Sequence, residues 1–167
     1  PPVTMGAHVS VSPNLQVGRQ TPLAARFTIA MSGNLGYEMD FRILPEKEKE
    51  TVKEQIAFYK EVREVIQKGK FYRLINPQTG NVAAWNFVSE DEQTVIYCYA
   101  QILSEAVQVN TPVKLKGLRE NWNYRFLQDG SCYGGDELMY AGITAEPVKK
   151  DFISHVYIFK KEGENRK

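Results

Sequence analysis

Two cysteines and two histidines in 167 residues are too few for several functions. Cys98 and Cys132 stand far apart, in no C-x-x-C pair and beside no histidine at ligand spacing, so the sequence offers no structural zinc site. Free thiols are usually buried in apolar surroundings, and both cysteines are expected to be free and buried or half-buried. Such sparse usage fits a reducing compartment. Charge of one sign is also lacking: 21 Lys and Arg against 20 Asp and Glu leave a net charge of +1. Without a basic stripe, nucleic acid is excluded as a partner. No apolar run approaches the roughly 20 residues that cross a bilayer, which excludes a membrane helix. An initiator methionine and a basic-then-apolar leader are absent from "PPVTMGAHVS", which opens on two prolines and a strand in mid-stride. The expectation is a piece of a larger protein.

What is present is an ordinary globular composition, 43% hydrophobic, enough for a real core. The pattern changes near Gly69. Before it, the strand "MGAHVS" is followed by "TPLAARFTIAMSG", where Thr21 as N-cap, Pro22 at the first helical position and Gly33 as the stop predict a short helix. The strand "LGYEMDFRIL" comes next, and a long helix then runs from Pro45 to Gly69. In that helix Val52, Ile56, Tyr59, Val62 and Ile66 recur every three or four residues on one face. Strand, helix, strand, helix is the rhythm of parallel β/α units. After Gly69, β-branched and aromatic runs predict strands at Phe71–Ile75, Ala83–Ser89, Thr94–Leu103, Val113–Leu118, Trp122–Leu127 and Phe152–Lys160. That spacing predicts an antiparallel sandwich. The polar tail "KKEGENRK" is expected to fray. Two β/α units cannot close a barrel, so the apolar faces of the first half need neighbours from outside this chain.

Few residues invite a chemical role. Glu38 and Asp40 in "GYEMD", two apart on a strand, would place carboxylates on one face roughly 7 Å apart, within the range of an inverting glycosidase. The simpler reading is a strand-end carboxylate that caps a helix or pairs with Arg19, Arg26 or Arg42. His8, Ser10 and Asp40 include the residue types of a nucleophilic triad, but no nucleophile-elbow pattern surrounds the serine, and a buried, hydrogen-bonded histidine is the plainer expectation. In "YGGDELMYAGI", Asp136 is expected to cap a short helical turn; with Glu137 it would give a metal only two carboxylates. Trp85 and Trp122 could stack on a sugar, although both sit in runs that read as core.

The segments "MGAHVSVSPNLQVGRQTPLAARFTIAMSGNLGYEMD", "EQIAFYKEVREVIQKGKFYRL", "AAWNFVSED", "LKGL" and "YGGDELMYAGI" together resemble the C-terminal part of the family 36 glycoside hydrolases, the bacterial α-galactosidases of the raffinose and melibiose type. The resemblance spans essentially the whole chain. It implies α/β plus all-β architecture: residues 1–68 as the last two β/α units of a (β/α)8 barrel, strands seven and eight with their helices, and 69–167 as a C-terminal antiparallel β-sandwich. It implies a retaining parent acting on α-galactosides, with the aspartate nucleophile and the aspartate acid/base both upstream. No catalytic residue is therefore expected in this chain, which would be inactive alone. His8, Ser10, Asn14 and Arg19, at and after the seventh strand, are the candidates for supporting contacts to the substrate site, although Asn14-Leu15 departs from the Asn-His expected in many relatives. The resemblance further implies no cofactor and no metal, the missing N-terminal and barrel portions as partners, a homotetrameric parent and a cytoplasmic location. The alternatives are a non-catalytic sugar-binding or interaction module, and one half of a split enzyme that complements the other.

Overall fold

The computed structural model describes residues 2–106, 111–145 and 149–163. Its first part holds β1 (Gly6–Ser10), α1 (Leu23–Ala30), β2 (Asn34–Glu38) and α2 (Glu46–Lys68). β1 and β2 pair in parallel, from Gly6 opposite Asn34 to Ser10 opposite Glu38. Parallel neighbours need a crossover, and α1 supplies it. Val9 is buried and Ala7 packs beside it against Phe27, Ala30 and Met31, so one face of the pair lies under helices.

Local chemistry corrects three expectations here. Pro22, not Thr21, occupies the N-cap position of α1 and Leu23 is the first helical residue, because the Pro22 carbonyl accepts the first intrahelical hydrogen bond, from Arg26 N–H at 3.1 Å. β2 stops at Glu38 instead of running to Leu44, because the Asp40 carboxylate accepts the Arg42 backbone N–H at 2.9 Å and turns the chain. Glu38 and Asp40 therefore do not share a strand face. α2 follows its periodicity, with Val52, Tyr59, Val62 and Ile66 buried, but Ile56 is only half-buried and Gln55 takes a buried place.

A single residue, Gly69, joins α2 to the second part. A Cβ there would lie 2.3 Å from the Val65 carbonyl oxygen and 2.5 Å from that of Val88, so the chain passes this point only without a side chain. β3 (Lys70–Ile75), β4 (Val82–Val88), β5 (Thr94–Gln101), β6 (Asn123–Phe126), β7 (Cys132–Gly134) and β8 (Ile153–Lys161) form one sheet in the order β3-β4-β5-β8-β6-β7, antiparallel throughout. Lys160 and Lys161 of the expected fraying tail belong to β8; 164–167 lie outside the described residues.

The central strands are buried on both faces. Trp85, Phe87, Ile96 and Cys98 point into a core shared with Phe27, Met31, Tyr59 and Ile66 of the helical part. Val88, Val95, Tyr97 and Phe159 face a second core with Val113, Leu115, Leu118 and Leu138. The layer that closes this second core is the extended segment 113–118 and α3 (Gly135–Tyr140), a layered arrangement of the sandwich type without a second ladder. Val113–Leu118, expected as a strand, keeps only a bridge from Val113 to Ile143. Its other backbone groups go elsewhere: Leu115 N–H donates to the Leu138 carbonyl at 3.0 Å, and Asn86 takes both groups of Lys116. β7 was not foreseen, although Asp129-Gly130 before it is a hairpin signal.

Candidate functional site

The carboxyl end of β1 runs into the loop 11–21, which folds back on itself around an open polar cavity of about 300 Å³. Its walls include Ser10, Ser12, Asn14, Arg19, Thr21 and Arg26. The loop is tightly held. Asn14 Oδ1 accepts the backbone N–H groups of Gln16 and Val17 at 3.0 and 3.1 Å, while Asn14 N–H donates to the Arg19 carbonyl at 2.9 Å. Ser12 Oγ accepts Thr21 N–H at 3.2 Å. Arg26, the only charge on α1, reaches back from the helix and donates to the carbonyls of both Ser10 and Thr21, fastening the two ends of the loop together. Burial lowers the pKa of its guanidinium, and the nearby Glu48 opposes this.

Three of the four residues singled out from sequence therefore meet at one cavity, Ser10, Asn14 and Arg19, while His8 does not line it. His8 is exposed, not buried, and its ring lies over Gly36 of β2, where a Cβ would come within 2.5 Å of its Cδ2. Asn14 spends its side-chain oxygen on the loop itself. The sequence offers Arg26 only as a partner for a strand-end carboxylate, Glu38 or Asp40, yet it organises the cavity; the signal for this is a lone cation in the otherwise uncharged "LAARFTIA".

The remaining candidates have structural partners. Asp40 binds Arg42 at 2.7 Å, and this contact holds its carboxyl below the usual carboxylate range. A carboxyl so paired stays ionised near neutral pH and cannot serve there as a general acid. Glu38 is exposed at the end of β2. Asp136 lies inside the first turn of α3 and not at its N-cap, which is Gly134, whose N–H the Glu137 carboxylate accepts at 3.2 Å; the Asp136 carboxylate still accepts the first-turn Glu137 N–H at 2.8 Å. Trp85 is buried, and Trp122 is half-buried under Lys161, whose Nζ lies 4.1 Å from the ring centre. Cys98 is free and buried; Cys132 is free but exposed, since it stands on the short edge strand β7. Among the described residues no group of three or more His, Cys, Asp or Glu could hold a metal ion, and no helix is long and apolar enough to cross a membrane.

A parallel strand pair under helices, a polar loop at its carboxyl end and an antiparallel sheet joined directly to it define a recognisable class. Residues 1–69 match the melibiase family model and 82–159 the model of the glycosyl hydrolase family 36 C-terminal domain, and the chain belongs to this family as a C-terminal portion. Among its relatives is α-galactosidase AgaA of Geobacillus stearothermophilus, 49% identical over 93% of this chain and 21% of the relative. The crystal structure of AgaA superposes with a TM-score of 0.93 at 48% identity, over 97% of this chain and 22% of that one. The α-galactosidase of Lactobacillus brevis gives 0.94 at 39% identity, over the whole of this chain and 24% of its own. Variants of AgaA have been crystallised with raffinose and with stachyose. The chain thus spans about a fifth of the length of the curated relatives it matches, 21% for AgaA.

Proposed function

We propose that this chain is the C-terminal part of a retaining α-galactosidase that hydrolyses terminal α-galactosyl residues of melibiose and raffinose-type oligosaccharides, and that it is inactive alone. In this reading residues 1–68 supply the last two β/α units of a (β/α)8 barrel and 69–167 the C-terminal β-sandwich. One observation supports it above the rest: β1 and β2 are parallel, lie under helices on one face and, among the described residues, pair with no other strand. Parallel sheets occur as larger assemblies covered on both faces, so a pair of this kind is a segment of one. Barrel enzymes act at the carboxyl ends of their strands, where the loop 11–21 lies.

A retaining glycosidase needs two carboxyl groups about 5 Å apart, one of them protonated to act as acid. Asp40 is committed to Arg42 and stays ionised, and Glu38 has no carboxyl partner on its strand face. Both catalytic carboxyls then belong to the portion ahead of β1. The task left to this chain is to close the barrel wall and shape its rim: Arg26 holds the loop, and Ser10 and Arg19 offer hydroxyl and guanidinium groups of the kind that bind sugar hydroxyls. A homotetrameric parent in the cytoplasm completes the proposal, and the two unpaired cysteines accord with a reducing compartment.

The test is a chromogenic α-galactoside offered to the chain alone and to a chimera in which the upstream part of AgaA precedes it. The expected result is turnover by the chimera only. Turnover by the chain alone would overturn the proposal and return attention to Glu38.

A further inference from the structure

The cavity inside the loop 11–21 carries more positive charge than a neutral galactoside calls for. Its lining holds two guanidinium groups, Arg19 and Arg26, three hydroxyls, Ser10, Ser12 and Thr21, and no carboxylate. Elsewhere Arg42, Arg119 and Arg125 each hold a carboxylate. Arg19 holds none: it is exposed, and its side chain makes no hydrogen bond or ion pair among the described residues. Arg26 spends Nε and Nη1 on the carbonyls of Thr21 and Ser10, so its Nη2 is left over. The nearby Glu48 acts on Arg26 from outside and does not line the cavity. Thr21 stands just ahead of α1, whose amino end adds partial positive charge.

We infer that this cavity binds an acidic sugar, a pyranose of the uronic acid class, through its carboxylate. Three features select this ligand. A guanidinium fork matches the two oxygens of a carboxylate, and Arg19 stands on a loop that is already fixed, so little ordering is lost on binding. The Arg19 carbonyl accepts Asn14 N–H at 2.9 Å, and Asn14 Oδ1 takes the N–H groups of Gln16 and Val17. The other lining groups suit a sugar body: the hydroxyls of Ser10 and Ser12 and the Asn14 Nδ2 amide can pair with ring hydroxyls, while Val11 and Val17 offer a wall to an apolar ring face. Size narrows the choice further. About 300 Å³ is at the small end of ligand pockets and suits one ring better than an oligosaccharide. The binding itself stands on residues of this chain; only its use, to accept α-galactosides whose leaving group bears an acid, rests on the parent reading above.

The experiment titrates the chain with galacturonate and with galactose, followed by the amide resonances of Gly18 and Arg19. Galacturonate is expected to saturate with a Kd of about 1 mM, and galactose to bind at least about 10-fold more weakly, the worth of one charge-assisted hydrogen bond. Arg19→Gln is expected to reduce galacturonate binding to the level of galactose. No saturation, an equal response to the two sugars, or an unaltered galacturonate affinity in Arg19→Gln would overturn the inference. Acetate is the third arm: if it binds as tightly as galacturonate, the cavity takes any small anion and the assignment to a sugar falls. Buried Cys98 reports on folding. If it reacts rapidly with a thiol reagent, the lone chain is unfolded and the titration moves to the AgaA chimera, where only the galacturonate affinity lost in Arg19→Gln counts; no loss there overturns the inference. Activity is read separately. An inactive chimera that binds galacturonate through Arg19 keeps the site and sinks the hydrolase reading, and an active chimera whose galacturonate binding is indifferent to Arg19→Gln does the reverse.

Discussion

Arg26 shows how one side chain shapes the candidate site. Its guanidinium is half-buried and donates to two carbonyls eleven residues apart, those of Ser10 and Thr21, and so sets the width of the loop between them. Removing it leaves two backbone acceptors without their charged donor, a loss of about 1.5–3 kcal/mol for each hydrogen bond of this type. Arg26→Ala is therefore expected to lower the urea midpoint of the chain, and Arg26→Lys to recover only part of it, since an ammonium lacks the planar fork. An unchanged midpoint for Arg26→Ala would show that the loop holds without it. His8 and Gly36 form a second local pair. Gly36→Ala forces the imidazole off β2, and His8→Ala should relieve that cost, a coupling that a double-mutant cycle in urea measures directly.

Among the elements, α2 was the most legible, because its i, i+3, i+4 spacing and its burial are the same fact: Val52, Tyr59, Val62 and Ile66 can share only one face. The segment 113–118 shows where such reading stops. Val113 and Leu115 are buried and Lys114 and Lys116 exposed, the alternation of a strand, yet the hydrogen bonds go to Ile143, to Leu138 at the core of α3 and to the Asn86 side chain. Periodicity reports which way side chains point and is silent about which partner takes the backbone. At the candidate site, Ser10, Asn14 and Arg19 were legible because they follow a strand end. Arg26 was less so: its lone charge in an apolar helix marks it, but its partners are main-chain carbonyls that the residue pattern does not name. Asn86 is fully buried and takes both the N–H and the carbonyl of Lys116, at 3.2 and 3.0 Å. Asn86→Ala would orphan both, and the expected destabilisation is about 2–4 kcal/mol, with faster hydrogen exchange at Lys116 while β5 keeps its protection. Loss of protection in both segments together would mean that 113–118 has no separate opening.

Across the whole molecule the two parts share one hydrophobic cluster, from Val9 and Phe27 through Tyr59 and Ile66 to Trp85, Phe87 and Cys98. A single cooperative thermal transition is expected, with Cys98 reacting with a thiol reagent only once it is passed, whereas Cys132 reacts in the native chain. Alkaline pH tests the same packing. Burial pushes the Tyr37 phenol up to about 12, and Tyr97, Tyr99 and Tyr124 are raised by the same cause. The folded chain then keeps protons that the unfolded chain releases from about pH 10, so stability is full below that value and falls as pH rises towards about 12. Tyr37→Phe should flatten the fall by about one proton's worth, read from urea midpoints between about pH 9 and 11; an unaltered slope would show that Tyr37 ionises freely in the native state. Gly69 bears on motion at this scale. Because helix runs into strand through one residue wedged between two carbonyls, the joint has no slack, and the sheet cannot swivel on the helices. Any large internal motion must then come from loops such as 11–21, with the layers beneath them turning as one rigid block.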